Sequence, residues 1–244
     1  MRSGVEQLVL PAECALCHAL LPFERSGDLI CPVCRHRWRP IVPPWCARCG
    51  QPEPLFGLCR ICQDWPRALH CARSAVWLDA AARRAVHALK YGALPRIADD
   101  LAATMARVPL PDAGAALLVP VPLAAQRLRA RGYNQSECLA RHLAHRWRRP
   151  VRHLLVRTRE TATQTALTPA ARLANVAGAF AVRNAEVGTR NSSALTLPRS
   201  TFVLVDDVFT TGATLAAAAR ALQDAGAPSI MAVTFGRAVI PDFT

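Results

Sequence analysis

Residues Phe202 to Leu215 read FVLVDDVFTTGATL. An unbroken apolar run of this kind suits a strand buried on both faces of a parallel sheet. It delivers two adjacent carboxylates, Asp206 and Asp207, to the carboxyl end of that strand, where open α/β sheets bind ligands. The turn that follows, Thr210, Thr211, Gly212, Ala213 and Thr214, sets small hydroxyl residues around a glycine and opens a helix. Backbone N–H groups and the positive end of the helix can cradle a phosphate there. The carboxylates then face the hydroxyls of the attached sugar. Asp207 also has a plainer reading, as a cap on the turn.

Working outward, short apolar runs alternate with Ala/Arg-rich amphipathic stretches from about residue 74. Strands are expected at 74–78, at 117–122 (where the run ends in prolines), at 153–157, at 202–208 and at 230–235. Helices are expected at 80–90, 95–107, 135–148, 169–176 and 213–225, with Thr168 and Pro169 suited to a cap and first turn. Residues 184–200 read as a surface loop. The alternation predicts an α/β fold, a mostly parallel sheet with helices on both faces, over 72–244.

The first quarter is different. Eight of the ten cysteines form four CxxC pairs: Cys14 with Cys17, Cys31 with Cys34, Cys46 with Cys49, and Cys59 with Cys62. Two CxxC turns supply the four soft ligands that tetrahedral Zn²⁺ prefers, so four turns predict two structural zinc sites in a module spanning 1–71. In the simplest arrangement successive pairs share a metal, and interleaved pairing is the alternative. Disulfides suit an exported chain, and a redox CxxC comes singly beside a βαβ pattern. The segment has no periodic apolar pattern and depends on metal to fold. Closed four-cysteine sites leave no coordination position for catalysis. Cys71 and Cys138 read as ordinary buried thiols, and the seven histidines show no ligand-like spacing.

The 244 residues are 52% hydrophobic, enough for a packed core and against global disorder. No apolar stretch is long enough for a membrane span. The opening MRSGVEQLVLPAEC does not resemble a secretion signal, so a cytoplasmic location is expected. The net charge is +13, and residues 72–160 carry +10 of it. Ten arginines and one acid, Glu137, lie between Arg127 and Arg159. That density suits a surface meeting phosphates or nucleic acid, or simply a solvated arginine-rich face. Lys90 is the only lysine, which suggests a position needing a compact point charge rather than a guanidinium fork. His87 shares its helical face.

The segment VLVDDVFTTGAT resembles the phosphoribosyl-pyrophosphate signature of type I phosphoribosyltransferases. With Leu89-Lys90-Tyr91, Val119-Pro120-Val121-Pro122, Arg131-Gly132-Tyr133-Asn134-Gln135, the stretch Arg157 to Phe180 and the cysteine module, the chain resembles the ComF family of competence-related proteins over nearly its whole length. The resemblance implies that Asp206 and Asp207 bind the ribose hydroxyls and Thr210 to Thr214 the 5′-phosphate. The turn at Pro122 and Leu123 would hold pyrophosphate, Lys90 or Arg131 would neutralise it, and Asn134, Arg157 and Gln164 would contact substrate, the last two from a flap. Mg²⁺ would bridge pyrophosphate and ribose oxygens. Two classes of function follow. One is an enzyme, a phosphoribosyltransferase of the pentosyl class linked to DNA uptake or serving nucleobase salvage. The other is a non-catalytic nucleotide sensor that binds single-stranded DNA, with Tyr133 and Trp147 as stacking rings and a competence helicase as partner.

Overall fold

The computed structural model describes residues 11–52, 59–111, 116–159, 176, 178–183 and 200–239. Its centre is a four-stranded, all-parallel sheet of β1 (Leu69–Trp77), β2 (Leu117–Pro120), β5 (Thr201–Phe209) and β6 (Ser229–Arg237), in the order β1-β6-β5-β2. Side chains alternate between faces, so each strand feeds two cores. Val203, Val205, Met231, Val233 and Phe235 enter one, and Phe202, Leu204, Ile230 and Ala232 enter the other. Phe202, Phe209 and Phe235 are fully buried, each contributing roughly 1.5–3 kcal/mol of transfer free energy.

Helices α2 (Ala80–Tyr91), α3 (Ala98–Met105) and α5 (Gln135–Trp147) cover the first face, and α6 (Ala213–Asp224) covers the second. Asp79 caps α2 by accepting from the N–H groups of Ala81 and Ala82 at 3.0 Å. Asn134 caps α5 through the N–H of Ser136, also at 3.0 Å. The cysteine module, which includes the short helix α1 (Pro32–His36), joins this fold along the edge strand β1. The N–H of Ile41 donates to Ala75, that of Trp77 to Arg39 and that of Ala72 to Arg48. Pro40, which lacks a donor, sits opposite Val76. An edge that would otherwise present unpaired backbone groups is therefore covered by the same chain.

The sheet and its flanking helices are those expected, with three differences. The 153–157 strand is shorter, β3 (Leu155–Arg157), and pairs antiparallel with β4 (Phe180–Val182) outside the main sheet. β1 starts five residues early because its first half pairs with β6 while carrying His70 and Arg73, which hid the strand pattern. Helix α4 (Ala125–Arg131) has no counterpart among the expected elements, since its arginine-rich sequence buries no residue. The helix expected at 169–176 and the loop at 184–200 lie, except for Val176 and Ser200, outside the described residues. No described helix is long and apolar enough to cross a membrane.

Candidate functional site

The carboxyl ends of β2 and β5, the last turn of α2 and the first turn of α5 enclose a cleft of about 600 Å³. Asp206 and Asp207 form its floor, 8% and 4% exposed. The two carboxylates take different partners, Asp206 from the first turn of α5 and Asp207 from both α5 and the last turn of α2. Asp206 Oδ1 accepts from Ser136 Oγ at 2.8 Å and from the N–H of Asp207 at 2.9 Å. Asp207 is ion-paired with Lys90 through Oδ2 and accepts from Gln135 Nε2 at 3.5 Å through Oδ1. Arg131 in turn donates to the Gln135 carbonyl oxygen.

Burial, reinforced by the neighbouring Asp207 carboxylate, pushes Asp206 up to about 7, against the pull of Ser136 and Lys90. Burial opposes the charge on Lys90, but Asp207 beside it and Asp206 beyond outweigh that and hold its ammonium above the usual lysine range. The floor thus carries one firmly paired carboxylate and one that protonates near neutrality. Burial lowers Arg157, helped by Arg127 and opposed by Asp206.

β5 leaves the sheet at Phe209 and reaches α6 through Thr210, Thr211 and Gly212. Gly212 has φ +77°, a conformation that side-chain-bearing residues rarely adopt. A Cβ there would also stand 2.8 Å from both Phe209 Cζ and Trp65 Cζ2. The turn is therefore glycine-dependent twice over, and it directs the amino end of α6 at the cleft, which Thr210 and Thr214 line.

The cysteines gather into two clusters, Cys14, Cys17, Cys31 and Cys34, and Cys46, Cys49, Cys59 and Cys62, with the sulfurs of each within 4.8 Å of one another. Successive pairs share a centre, the simpler of the two pairings. A tetrahedron of Zn–S bonds of about 2.3 Å has edges of roughly 3.8 Å. The measured Cys17–Cys31, Cys46–Cys62 and Cys49–Cys59 separations are 3.8, 3.7 and 3.4 Å. Four convergent thiols, with Cys14 Sγ also accepting from the N–H of Cys31 at 3.3 Å, fit structural Zn²⁺. The clusters lie on opposite faces of the sheet: Trp38 packs on Phe235 at 5.0 Å beside the first, and Trp65 on Phe209 at 6.0 Å beside the second. Cys71 is buried and Cys138 half-buried.

Residues 5–64 match the double zinc ribbon domain family. The chain is 33% identical over 238 residues to the DNA utilization protein YhgH of Salmonella typhi, covering 91% of this chain and 96% of that protein. It is 29% identical over 224 residues to the competence protein ComFC of Bacillus subtilis, covering 87% and 86%. Competence protein F of Haemophilus influenzae is 32% identical over 130 residues, 53% of this chain and 52% of that one. The chain belongs to the ComF family.

In this ComF-family fold, Lys90, Pro122, Leu123, Arg131, Arg157, Asp206, Asp207, Thr210 and Thr214 meet at one cleft. Thr211 is buried behind the turn, and its Oγ1 accepts from the N–H of Ala213, itself buried, at 3.5 Å. Asn134 does not line the cleft: its amide caps α5 and donates to the carbonyl of Val121 at 3.0 Å, the helix-start reading of that residue. Gln164 lies outside the described residues. His87 is exposed and stacks on Tyr91 at 4.8 Å instead of entering the cleft. Tyr133 and Trp147 are half-buried against the first core, the tyrosine hydroxyl donating to the carbonyl of Leu89 and the indole N–H to that of Ala106. Ser136 and Gln135 support the carboxylates most directly. Ser136 carried only a first-turn signal after its Asn cap, and nothing local relates it to an aspartate 70 residues away.

Proposed function

We propose that the cleft binds phosphoribosyl pyrophosphate with Mg²⁺ and that the chain is a phosphoribosyltransferase of the pentosyl class. In this reading residues 72–244 bind the ligand, 1–71 form the metal-bound module, and the protein works in the cytoplasm on DNA taken up during competence. The observation that carries the reading is the pair Asp206 and Asp207 at the mouth of a parallel strand, followed at once by a glycine-dependent turn into a helix amino end. The names of the relatives, competence and DNA-utilization proteins, support the link to DNA.

The 5′-phosphate sits against the Thr210 to Thr214 turn, satisfying N–H groups at the start of α6. The ribose hydroxyls donate to Asp206 and Asp207, and the negative charge of the pair, fuller above about pH 7 where Asp206 is ionised, stabilises the cationic sugar as the bond to pyrophosphate lengthens. Pro122 and Leu123 place backbone at the pyrophosphate, and Lys90 and Arg131 neutralise it. Ser136 and Gln135 fix the carboxylates in advance of binding. The carboxylate oxygens of Asp206 and Asp207 at the floor would suit a hard cation, and Mg²⁺ held there with the ligand would supply positive charge against the pyrophosphate.

Calorimetric titration with phosphoribosyl pyrophosphate and Mg²⁺ tests the binding. Heat is expected for the wild type and none for Asp206→Asn/Asp207→Asn. Release of pyrophosphate only when a nucleobase is supplied supports transfer, including a salvage role. Binding without turnover on any base favours the sensor reading instead. Arg129, Arg148 and Arg152, exposed in the basic middle of the chain, support a single-stranded-DNA face beside that sensor, with a competence helicase as partner.

A further inference from the structure

Arg237, the last residue of β6, is 1% exposed and is the largest of the fully buried side chains. Among the described residues it meets no carboxylate. Its Nη1 donates to the carbonyl of Cys49 at 2.8 Å, and its Nη2 and Nε donate to Gln51 Oε1 at 2.9 and 3.1 Å. Nη2 stands 4.0 Å from Cys49 Sγ, and the guanidinium lies 4.0 Å over the Phe209 ring. A guanidinium stays charged in proteins, and a buried charge without compensation is strongly unfavourable. Four thiolates on one Zn²⁺ leave negative charge in excess, and Cys49 belongs to such a set.

We propose that Arg237 is the buried counter-cation of the second four-cysteine zinc centre, and that through Phe209 and Trp65 this centre holds the Thr210 to Thr214 turn in place. Phe209 pairs with Arg237 in the sheet and immediately precedes the turn. Trp65 follows the last cysteine by three residues, its backbone N–H donating to the carbonyl of Cys62 at 3.3 Å. Arg48 clamps the same segment by donating to the carbonyls of Cys62, Trp65, Pro66 and Leu69. Gly212 rests on both rings, with no room for a Cβ against either. Cysteine cluster, guanidinium, ring and turn form one continuous stack, so the second cluster and the phosphate turn share one rigid support. The counter-cation half stands on these contacts alone; the ligand half rests on the reading of the cleft given above.

The test follows zinc release from the purified, zinc-loaded full chain into a chromophoric chelator. Two phases are expected. Arg237→Gln accelerates one about 10- to 100-fold, as loss of an outer partner does at other metal sites, and leaves the other unchanged; Arg237→Lys falls between. No change in a variant with native circular dichroism, or equal acceleration of both phases, overturns the assignment. If Arg237→Gln does not fold, Gln51→Ala takes its place, because it frees the fork and keeps the charge. It is expected to speed one phase about threefold, and an unchanged rate overturns the proposal. Zinc-loaded Arg237→Gln should bind phosphoribosyl pyrophosphate about tenfold more weakly by calorimetry, and the ligand should slow the same release phase of the wild type. Equal affinity in both proteins overturns the link to the turn. A wild type that binds no ligand while Arg237→Gln still loses one zinc faster defeats the functional reading and leaves the counter-cation standing.

Discussion

Asp206 shows how far a single side chain's chemistry depends on its surroundings. A carboxyl whose pKa rises on folding holds its proton more tightly in the folded chain. Its stabilising contribution is therefore complete below the unfolded value of about 4 and is lost as pH rises through about 7. Asp206→Asn should match the wild type in thermal unfolding at pH 4 and melt up to ~10 °C higher at pH 8, while losing the ligand. A variant that melts lower at pH 8 would contradict the origin given for the shift. Lys90 behaves in the opposite way, since it supplies the charge that Asp207 needs. Lys90→Ala should lower stability at neutral pH by roughly 2–3 kcal/mol in urea titrations. That is less than for a fully buried pair, because the lysine side chain is 24% exposed. The acids were legible in the sequence, as was the single lysine. The raised pKa of Asp206 was not, because it comes first from burial, which only the packed sheet and helices impose.

The link from β5 to α6 and the start of α5 carry the site between them. At Gly212 a side chain meets both a left-handed backbone and two aromatic rings. Gly212→Ala should therefore destabilise the chain by roughly 1–3 kcal/mol and weaken ligand binding by more than the Thr210→Ala change does. Urea unfolding and calorimetry measure the two effects, and a fully stable variant with unaltered affinity would show that the turn is not under this constraint. Strand β5 and helix α6 could be read from the sequence because their apolar periods are long and uninterrupted. The partner of β3 was not legible because a three-residue strand carries no information about what it pairs with, and β4, the partner, begins at Phe180, beyond a long intervening stretch. Helix α4 escaped because a surface helix that buries nothing leaves no stripe to detect.

Across the whole molecule, the two cysteine clusters straddle the edge strand β1, one on each face of the sheet. Removing zinc should release residues 39–41 and 48 from β1 and expose its backbone. Chelation is thus expected to produce concentration-dependent association by light scattering, reversed when zinc returns. A chelated chain that stays monomeric would show that the edge is covered without the metal. The charge distribution leads to a second expectation. If Arg129, Arg148 and Arg152 meet a single-stranded backbone, replacing all three with alanine should reduce the slope of log affinity against log salt by about 2. An unaltered slope would exclude this surface.

The metal ligands, the parallel sheet and the carboxylate-and-glycine segment were all set by local sequence. CxxC spacing, uninterrupted apolar runs and the order strand, acids, glycine, helix each act over a few residues. Other features depended on contacts between distant segments. These are the sharing of each metal by successive pairs, the placing of the clusters on opposite faces, the removal of Asn134 from the cleft and the burial of Arg237 beside Cys49, 188 residues away. The physical reason is that compensation of buried charge and polarity acts at contact distance in space, and a residue's neighbours in space are fixed only once the sheet has brought its ends together.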